Sequence, residues 1–348
     1  MSELSAHIDS LNCPLIATSS LKQFSSLAAS MGVNGDAVLR RHQINSKLIE
    51  SPQGKIRYQS LAAALNDAAE ESGCDHFGLR LGETLDVATI DLVLACAQSD
   101  NLRDALANMG RYREIYGQGY DLIVHEERGY AYWKFYHAVS DDVDLSAFSD
   151  LTAMFMLKVL KFFLGDHSFS VSQAFLDRKE PNDPGPYTRI LQAPCNFDRD
   201  FVGLKMPAEV LNHPLEANER LRDILFGFIE AGLPSLEEQC VVSQVSRQVD
   251  LLLPTGRCSI ENIAQVLGIH PRTLQKKLQR EKMVFRDILR EKRMKKACFY
   301  LDKTALSVGA VAQAIGYSDT ANFLRAFKAW FNTTPGEWRK RERAQVVS

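Results

Sequence analysis

At 348 residues, 45% of them hydrophobic and 24% charged, the chain is long enough for two domains and too apolar to be disordered throughout. Its formal net charge of −2 hides a split, because residues 255–348 carry 19 Lys/Arg against 8 Asp/Glu while residues 1–254 carry 22 against 35. The seven scattered cysteines form no C-x-x-C pair, no basic segment precedes an apolar stretch at the N-terminus, and no apolar run spans a bilayer, so the expectation is a cytoplasmic protein with reduced thiols and no membrane segment.

In chain order, Ser20–Ser30 reads as a helix, Met31–Gly35 as a turn, and Asp36–Gln43 as a second short helix with Asp36 as its N-cap. Beyond Ser51-Pro52-Gln53-Gly54, Leu61, Ala64, Leu65 and Ala68 set the helical spacing of Tyr58–Ser72. Asp121–Glu126 and Tyr130–Tyr136 flank Glu127-Arg128-Gly129 as a hairpin, with Tyr130, Tyr132, Lys134 and Tyr136 on one face and Ala131, Trp133 and Phe135 on the other. Leu145–Leu164 is a strongly apolar, buried helix. Ser170–Leu176 and Phe201–Met206 read as strands around a Pro181–Pro186 loop, and Leu215–Ala231 as a helix ending near Gly232 and Pro234, a domain boundary. Everything after it is helical by pattern: Leu236–Leu253, closed by Pro254-Thr255-Gly256, then Ser259–Leu267, Pro271–Arg280, Phe285–Leu301, Val308–Ile315, Thr320–Trp330 and Pro335–Arg343. The fold class is therefore an α+β domain over 1–232 and an all-α domain over 233–348.

Two stretches of the second domain repeat one design. In the first, about 259–280, Ala264 is small where a second helix must cross closely, and Gly268 supplies the turn. His270 is a plausible cap, Pro271 sits at the first helical position, and Leu274 and Leu278 face inward. In the second, about 307–330, Ala312 and Gly316 repeat that spacing and Phe323 and Phe327 replace the inward leucines. Between them Phe285–Leu301 is studded with Arg286, Arg290, Lys292, Arg293, Lys295 and Lys296. Seventeen helical residues span roughly 25 Å, a rod that could hold two recognition helices about one DNA turn (~34 Å) apart. A basic helical end is also what a protein-interaction adaptor with helical pairs would present. Salt separates the two readings, because counterion release makes DNA affinity fall steeply as salt is added.

With these motifs in place, the chain resembles the AraC/XylS-type transcription regulators over about 236–340. The resemblance rests on Gly268-Ile269-His270-Pro271-Arg272-Thr273-Leu274, Ile315-Gly316-Tyr317-Ser318, and Phe327–Trp338-Arg339. It departs from the family at His270 (often serine), at Asn332 (usually glycine) and at Ala321 (elsewhere a longer polar residue). By family position, Arg272, Gln275 and Lys276 approach base edges from the first unit, and Arg325 with Thr320 from the second. Lys277, Arg293, Asn322 and Lys328 meet phosphates. The family implies double-stranded DNA as partner, RNA polymerase as a second contact, and activation more often than repression.

His76–Glu83, Leu102–Tyr112 and Pro194-Cys195-Asn196-Phe197 resemble, more diffusely, an arabinose-binding-like sensor half found in one branch of this family. That implies a small-molecule effector and possible homodimerisation. The aromatic hairpin beside Leu145–Leu164 could wall an apolar pocket with Tyr132, Trp133, Phe135 and Phe155. The same residues would equally make a plain hydrophobic core. The chain holds no H-E-x-x-H, G-x-S-x-G, P-loop or G-x-G-x-x-G motif, only the glycine pair Gly117-Gln118-Gly119. Its histidines lack ligand spacing, with His125 and His137 read as surface or hairpin residues. No catalysis, cofactor or metal is expected, although an enzyme with an undetected active site stays as a further alternative.

Overall fold

A computed structural model describes residues 14–51, 54–113, 116, 117, 119–137, 143–231, 241–253, 256, 258–281, 283–304 and 306–346. Two compact units divide the chain, Met1–Glu230 and Ala231–Ser348. The Gly232–Pro234 boundary, residues 236–240 of the expected Leu236–Leu253 helix, Pro254-Thr255, Pro52-Gln53 and Gln118 lie outside the described residues.

The first unit is mixed. Strands β1 (Leu15–Ala17) and β2 (Lys55–Arg57) pair antiparallel. Helices α1 (Phe24–Ser30), α2 (Gly35–Arg41), α3 (Ser46–Glu50), α4 (Tyr58–Ser72), α5 (Phe77–Thr84), α6 (Asp91–Cys96) and α7 (Leu102–Arg111) form its helical part. A five-stranded sheet follows, built from β3 (Tyr120–Glu127), β4 (Tyr130–His137), β5 (Gln173–Phe175), β6 (Cys195–Asn196) and β7 (Val202–Pro207). Its spatial order is β3-β4-β7-β5-β6, and only the β5–β6 pair is parallel. Helix α8 (Ser146–Leu164) packs on the sheet and on α4 and α5, while α9 (Gly185–Leu191) and α10 (Glu219–Ala231) complete the unit. Gly78 on α5 lets α8 approach closely, since a Cβ there would lie 1.9 Å from the Ala147 carbonyl oxygen.

Local chemistry explains where element ends differ from the sequence reading. Asn34, not Asp36, caps α2: its side chain accepts from the Ala37 amide at 3.1 Å, and Asp36 accepts from the Ser25 hydroxyl instead. Glu127 belongs to strand β3, because the hairpin turn needs only Arg128 (φ 51°) and Gly129 (φ 80°), both left-handed as a two-residue turn requires. Helix α10 starts at Glu219 because Asn218 accepts from the Leu221 amide, and Leu215 bonds back to the Asp100 carbonyl. The end of the Pro181–Pro186 loop is already helical, with Pro186 in the first turn of α9. His137 is a hairpin residue, yet its side chain is buried. Its Nδ1 meets the Tyr58 hydroxyl at 2.5 Å and its Nε2 lies 3.1 Å from Asp177.

A charged network stitches α8 to the rest of this core. The Asp150 carboxylate, fully buried, accepts from Arg178 at 2.7 Å and from the Tyr187 hydroxyl at 2.9 Å, while Arg178 also reaches the Asp75 carbonyl. Burial raises the Asp150 carboxyl to about 7, against the opposing pull of Arg178.

The second unit is all-helical. It comprises α11 (Val241–Leu252), α12 (Ile260–Val266), α13 (Pro271–Arg280), α14 (Phe285–Lys303), α15 (Val308–Ala314), α16 (Thr320–Phe331) and α17 (Pro335–Val346). Val245, Val249 and Leu253 of the first segment are buried, as are Ile288, Ala297 and Leu301 on α14, against which α11, α15 and α17 pack. The observed α+β and all-α units are those the sequence pattern implies.

Removing Arg178 would leave Asp150 buried without a countercharge. Arg178→Met is expected to destabilise the first unit by about 1–3 kcal/mol at pH 8, where Asp150 is ionised beside Arg178 and the variant carboxyl must take up a proton and lose its partner. The loss should shrink toward pH 5, where the carboxyl holds a proton in the folded state, and urea midpoints at the two pH values measure it.

Candidate nucleic-acid interface and effector cavity

Both helix pairs of the second unit are assembled by the same local devices. Ser259 and Ser307 cap α12 and α15, each accepting from the amide three residues on at 3.2 Å. Gly268 and Gly316 follow at φ +64° and +75°, the left-handed region that sharp exits from a helix demand. His270 Nδ1 accepts from the Arg272 amide at 3.2 Å with Pro271 next, and Asp319 accepts from the Ala321 amide at 3.0 Å. The inward pairs, Leu274 with Leu278 and Phe323 with Phe327, are buried.

What remains on α13 faces solvent: Arg272, Thr273, Gln275, Lys276 and Lys277 are all exposed. On α16, Thr320, Ala321, Asn322, Leu324, Arg325, Lys328 and Ala329 are exposed. Asn322 braces Arg325, its Oδ1 accepting from Nη2 at 2.6 Å. Behind α16, Tyr317, Phe323, Phe327, Trp330, Phe331 and Trp338 stack into an aromatic wedge. Asn332 ends the helix at φ 57°, so asparagine does the work a glycine would. Thr334 and Glu337 form a reciprocal capping box at the start of α17, and those hydrogen bonds hold the Glu337 carboxyl below its ordinary value.

Arg293 points inward. Its Nε and Nη2 donate to the Ile315 and Gly316 carbonyls at 3.1 and 3.0 Å, and its guanidinium lies 4.3 Å from the Tyr317 ring centroid. Family position implies a phosphate contact for this residue, but here its guanidinium is engaged at the second turn. Arg339 does similar work lower down, donating to the Leu301 and Leu306 carbonyls. Neither role is visible from charge pattern.

In the first unit a cavity of about 110 Å³ lies among β1, β3, β4 and α8. Phe135 and Phe155 line it; Tyr132 and Trp133 do not. Trp133 is buried in the core, and Tyr132 points to the opposite sheet face, where its ring meets Phe175 and Lys134. Leu122, opposite Phe135 across the hairpin, shares the apolar wall with Ile16 and Ile90, which come from elements that hairpin alternation does not bring in. Burial pushes the lining Tyr116 phenol up to about 12, so it stays protonated.

Sequence comparison decides the family. The family described as "Arabinose-binding domain of AraC transcription regulator, N-term" matches residues 32–215, more than half of the chain, and a "Helix-turn-helix domain" matches residues 263–341. The chain belongs to the AraC family of transcription regulators. Among its AraC-family relatives, the HTH-type transcriptional regulator VirS of Mycobacterium tuberculosis is 25% identical over 331 residues, covering 93% of this chain and 96% of that one. The ornithine utilization regulator of Pseudomonas aeruginosa is 25% identical over 320 residues, covering 90% and 93%. The transcriptional activator NphR of a Rhodococcus species is 30% identical over 122 residues, covering 35% and 36%. As an AraC-family protein the chain is a DNA-binding transcription regulator with a small-molecule-binding type of N-terminal domain. Among the described residues, no helix is long and apolar enough to cross a membrane, and no three His, Cys, Asp or Glu gather as a metal site.

The two turn glycines separate conformation from contact. A Cβ on Gly268 would meet nothing within 4 Å, whereas one on Gly316 would lie 2.4 Å from the Leu253 carbonyl oxygen. Gly268→Ala should cost about 1–2 kcal/mol, the left-handed penalty alone. Gly316→Ala should cost more and weaken DNA binding, as denaturant melts and mobility shifts would show.

Proposed function

We propose that this regulator is a ligand-responsive activator in which residues 1–232 sense a small effector and residues 233–348 read two successive major grooves with α13 and α16. The observation that carries the reading is the matched pair of helix-turn-helix units, on one 19-residue helix, whose arginines Arg272 and Arg325 both face solvent. Arg272 forks onto guanine, Gln275 pairs with adenine, and Lys276, Thr320 and Arg325 approach neighbouring base edges. Lys277, Lys328 and the amide NH2 of Asn322 meet phosphates. Arg293, its guanidinium turned to Ile315 and Gly316, acts as a positioning residue instead.

Effector sensing belongs to the cavity around Phe135 and Phe155, a concave, largely apolar site of the kind that holds small molecules. Activation, contact with RNA polymerase and homodimerisation form part of the same reading; the name of its activator relative supports the first of these. Neither rival reading, an adaptor or an enzyme, is favoured by a specific observation in the structure.

Binding of the full chain to a selected duplex and to random DNA, titrated against salt, tests this. Arg272→Ala should cost about 1–3 kcal/mol on the selected duplex and relax one base position. Lys277→Ala should weaken both duplexes alike and lower the salt slope by roughly one. Equal losses on both duplexes from both variants would overturn the assignment of base and phosphate roles. A salt-independent affinity would favour the adaptor.

A further inference from the structure

We infer that the effector is a compact, uncharged molecule about the size of one ring, and neither a sugar nor an amino acid. This rests on the sensing role proposed for the cavity. Among the described residues no charged side chain lines it. Its polar lining atoms are largely engaged already: Thr152 donates to the Phe148 carbonyl, Tyr120 to the Arg113 carbonyl, and the Tyr116 hydroxyl accepts from the Leu92 amide. Among the described residues, the Ser19 and Ser20 hydroxyls and the hydrogen of the Tyr116 hydroxyl are left to offer a ligand a few hydrogen bonds. A sugar would bury several hydroxyls without partners, and a zwitterion would bury charges with no countercharge. Apolar walls around about 110 Å³ suit something smaller than the contents of a large pocket; an engineered apolar cavity of about 150 Å³ takes up benzene.

Thermal melts of the full chain with toluene, p-cresol, arabinose or ornithine, run beside DNA titrations, test this. Toluene or p-cresol should raise Tm by roughly 3–6 °C at about ten times Kd, and arabinose and ornithine should leave it unmoved. Leu151→Phe, which fills the space, should abolish the shift. Phe155→Ala, which widens it, should move the preference from toluene to naphthalene and keeps the test alive if the first variant does not fold. The inference fails if no single-ring compound shifts Tm, if arabinose or ornithine does, or if the shift survives both variants unchanged. A Tm shift without any change in DNA affinity would leave the ligand class standing and sink the sensing role.

A separate observation lies on α16. Its outward face carries Ala321 and, three residues on, Leu324, which is 40% exposed between Arg325 and the Thr320 end of the helix. The matching face of α13 offers only polar or charged side chains at Arg272, Gln275, Lys276 and Lys277. The geometry points to Leu324 reading the C5-methyl group of a thymine, with Ala321 leaving room for the base pair to approach. The major groove presents that methyl as its one apolar landmark. The two helices would then read by different chemistry, the first by hydrogen bonds and the second partly by shape.

Replacing each dT of the second half-site by dU in a duplex selected from a random library by the full chain removes single methyls without touching base pairing. At one position the affinity should drop roughly threefold to fivefold, the worth of one buried methyl. Leu324→Ala should bind the parent duplex more weakly and no longer distinguish dT from dU there. Indifference to dU at every position, a distinction that persists in Leu324→Ala, or a selection that yields no consensus would each overturn the inference.

Discussion

The second unit depends on how the Arg293 guanidinium joins the linker helix to the second turn. Two charge-assisted hydrogen bonds reach the Ile315 and Gly316 carbonyls, each of a kind worth about 1.5–3 kcal/mol. The same cation sits over the Tyr317 ring. A turn left to itself would expose those carbonyls and let α16 swing about them. With Arg293 in place, the direction of α16 is set from α14, the helix that also packs against α11, α15 and α17. Gly316 makes this possible twice over, through its left-handed backbone and through the absence of a Cβ beside the Leu253 carbonyl.

In the first unit, α8 carries two unlike jobs on neighbouring residues. Leu151, Thr152, Phe155 and Met156 face the cavity. Asp150 sits one residue before that set and holds Arg178 and Tyr187 in a buried network. The apolar side of the helix leaves a space, and the charged residue beside it locks the helix to the α4–α5 turn at Asp75 and to the stretch after β5. A hydrophobic cavity bordered by a helix clamped in this way can stay open without the surrounding side chains collapsing into it.

The helix-turn-helix pairs were legible because their signals are local. Within each unit the turn glycine, Gly268 or Gly316, and the inward pair that follows, Leu274–Leu278 or Phe323–Phe327, lie close together along the chain. Asn332 and His270, departures from family habit, keep the function of what they replace, as their φ value and hydrogen bond show. Long-range facts were not legible. Alternation along β4 separated Tyr132 from Phe135 but could not say that Ile16, from β1, would complete a cavity wall with Phe135. Asp36 looked like a cap because acidic residues suit first helical turns, yet Asn34 could reach the amide and Asp36 was drawn to Ser25. Family position implied a DNA-phosphate role for Arg293, and an inward arginine and an outward one look alike in sequence until the neighbouring carbonyls are located.

Helix α14 also limits how such a regulator could be retuned. One residue added to a continuous helix rotates everything beyond it by about 100° and advances it by about 1.5 Å. Carried through Arg293 to α16, that rotation would, if α13 and α16 read one duplex as proposed, turn the second face away from the side addressed by the first. On the base-reading roles proposed for Gln275 and Leu324, new target sequences would be reachable by exchanging side chains there, but a new distance between half-sites would not be reachable in single-residue steps.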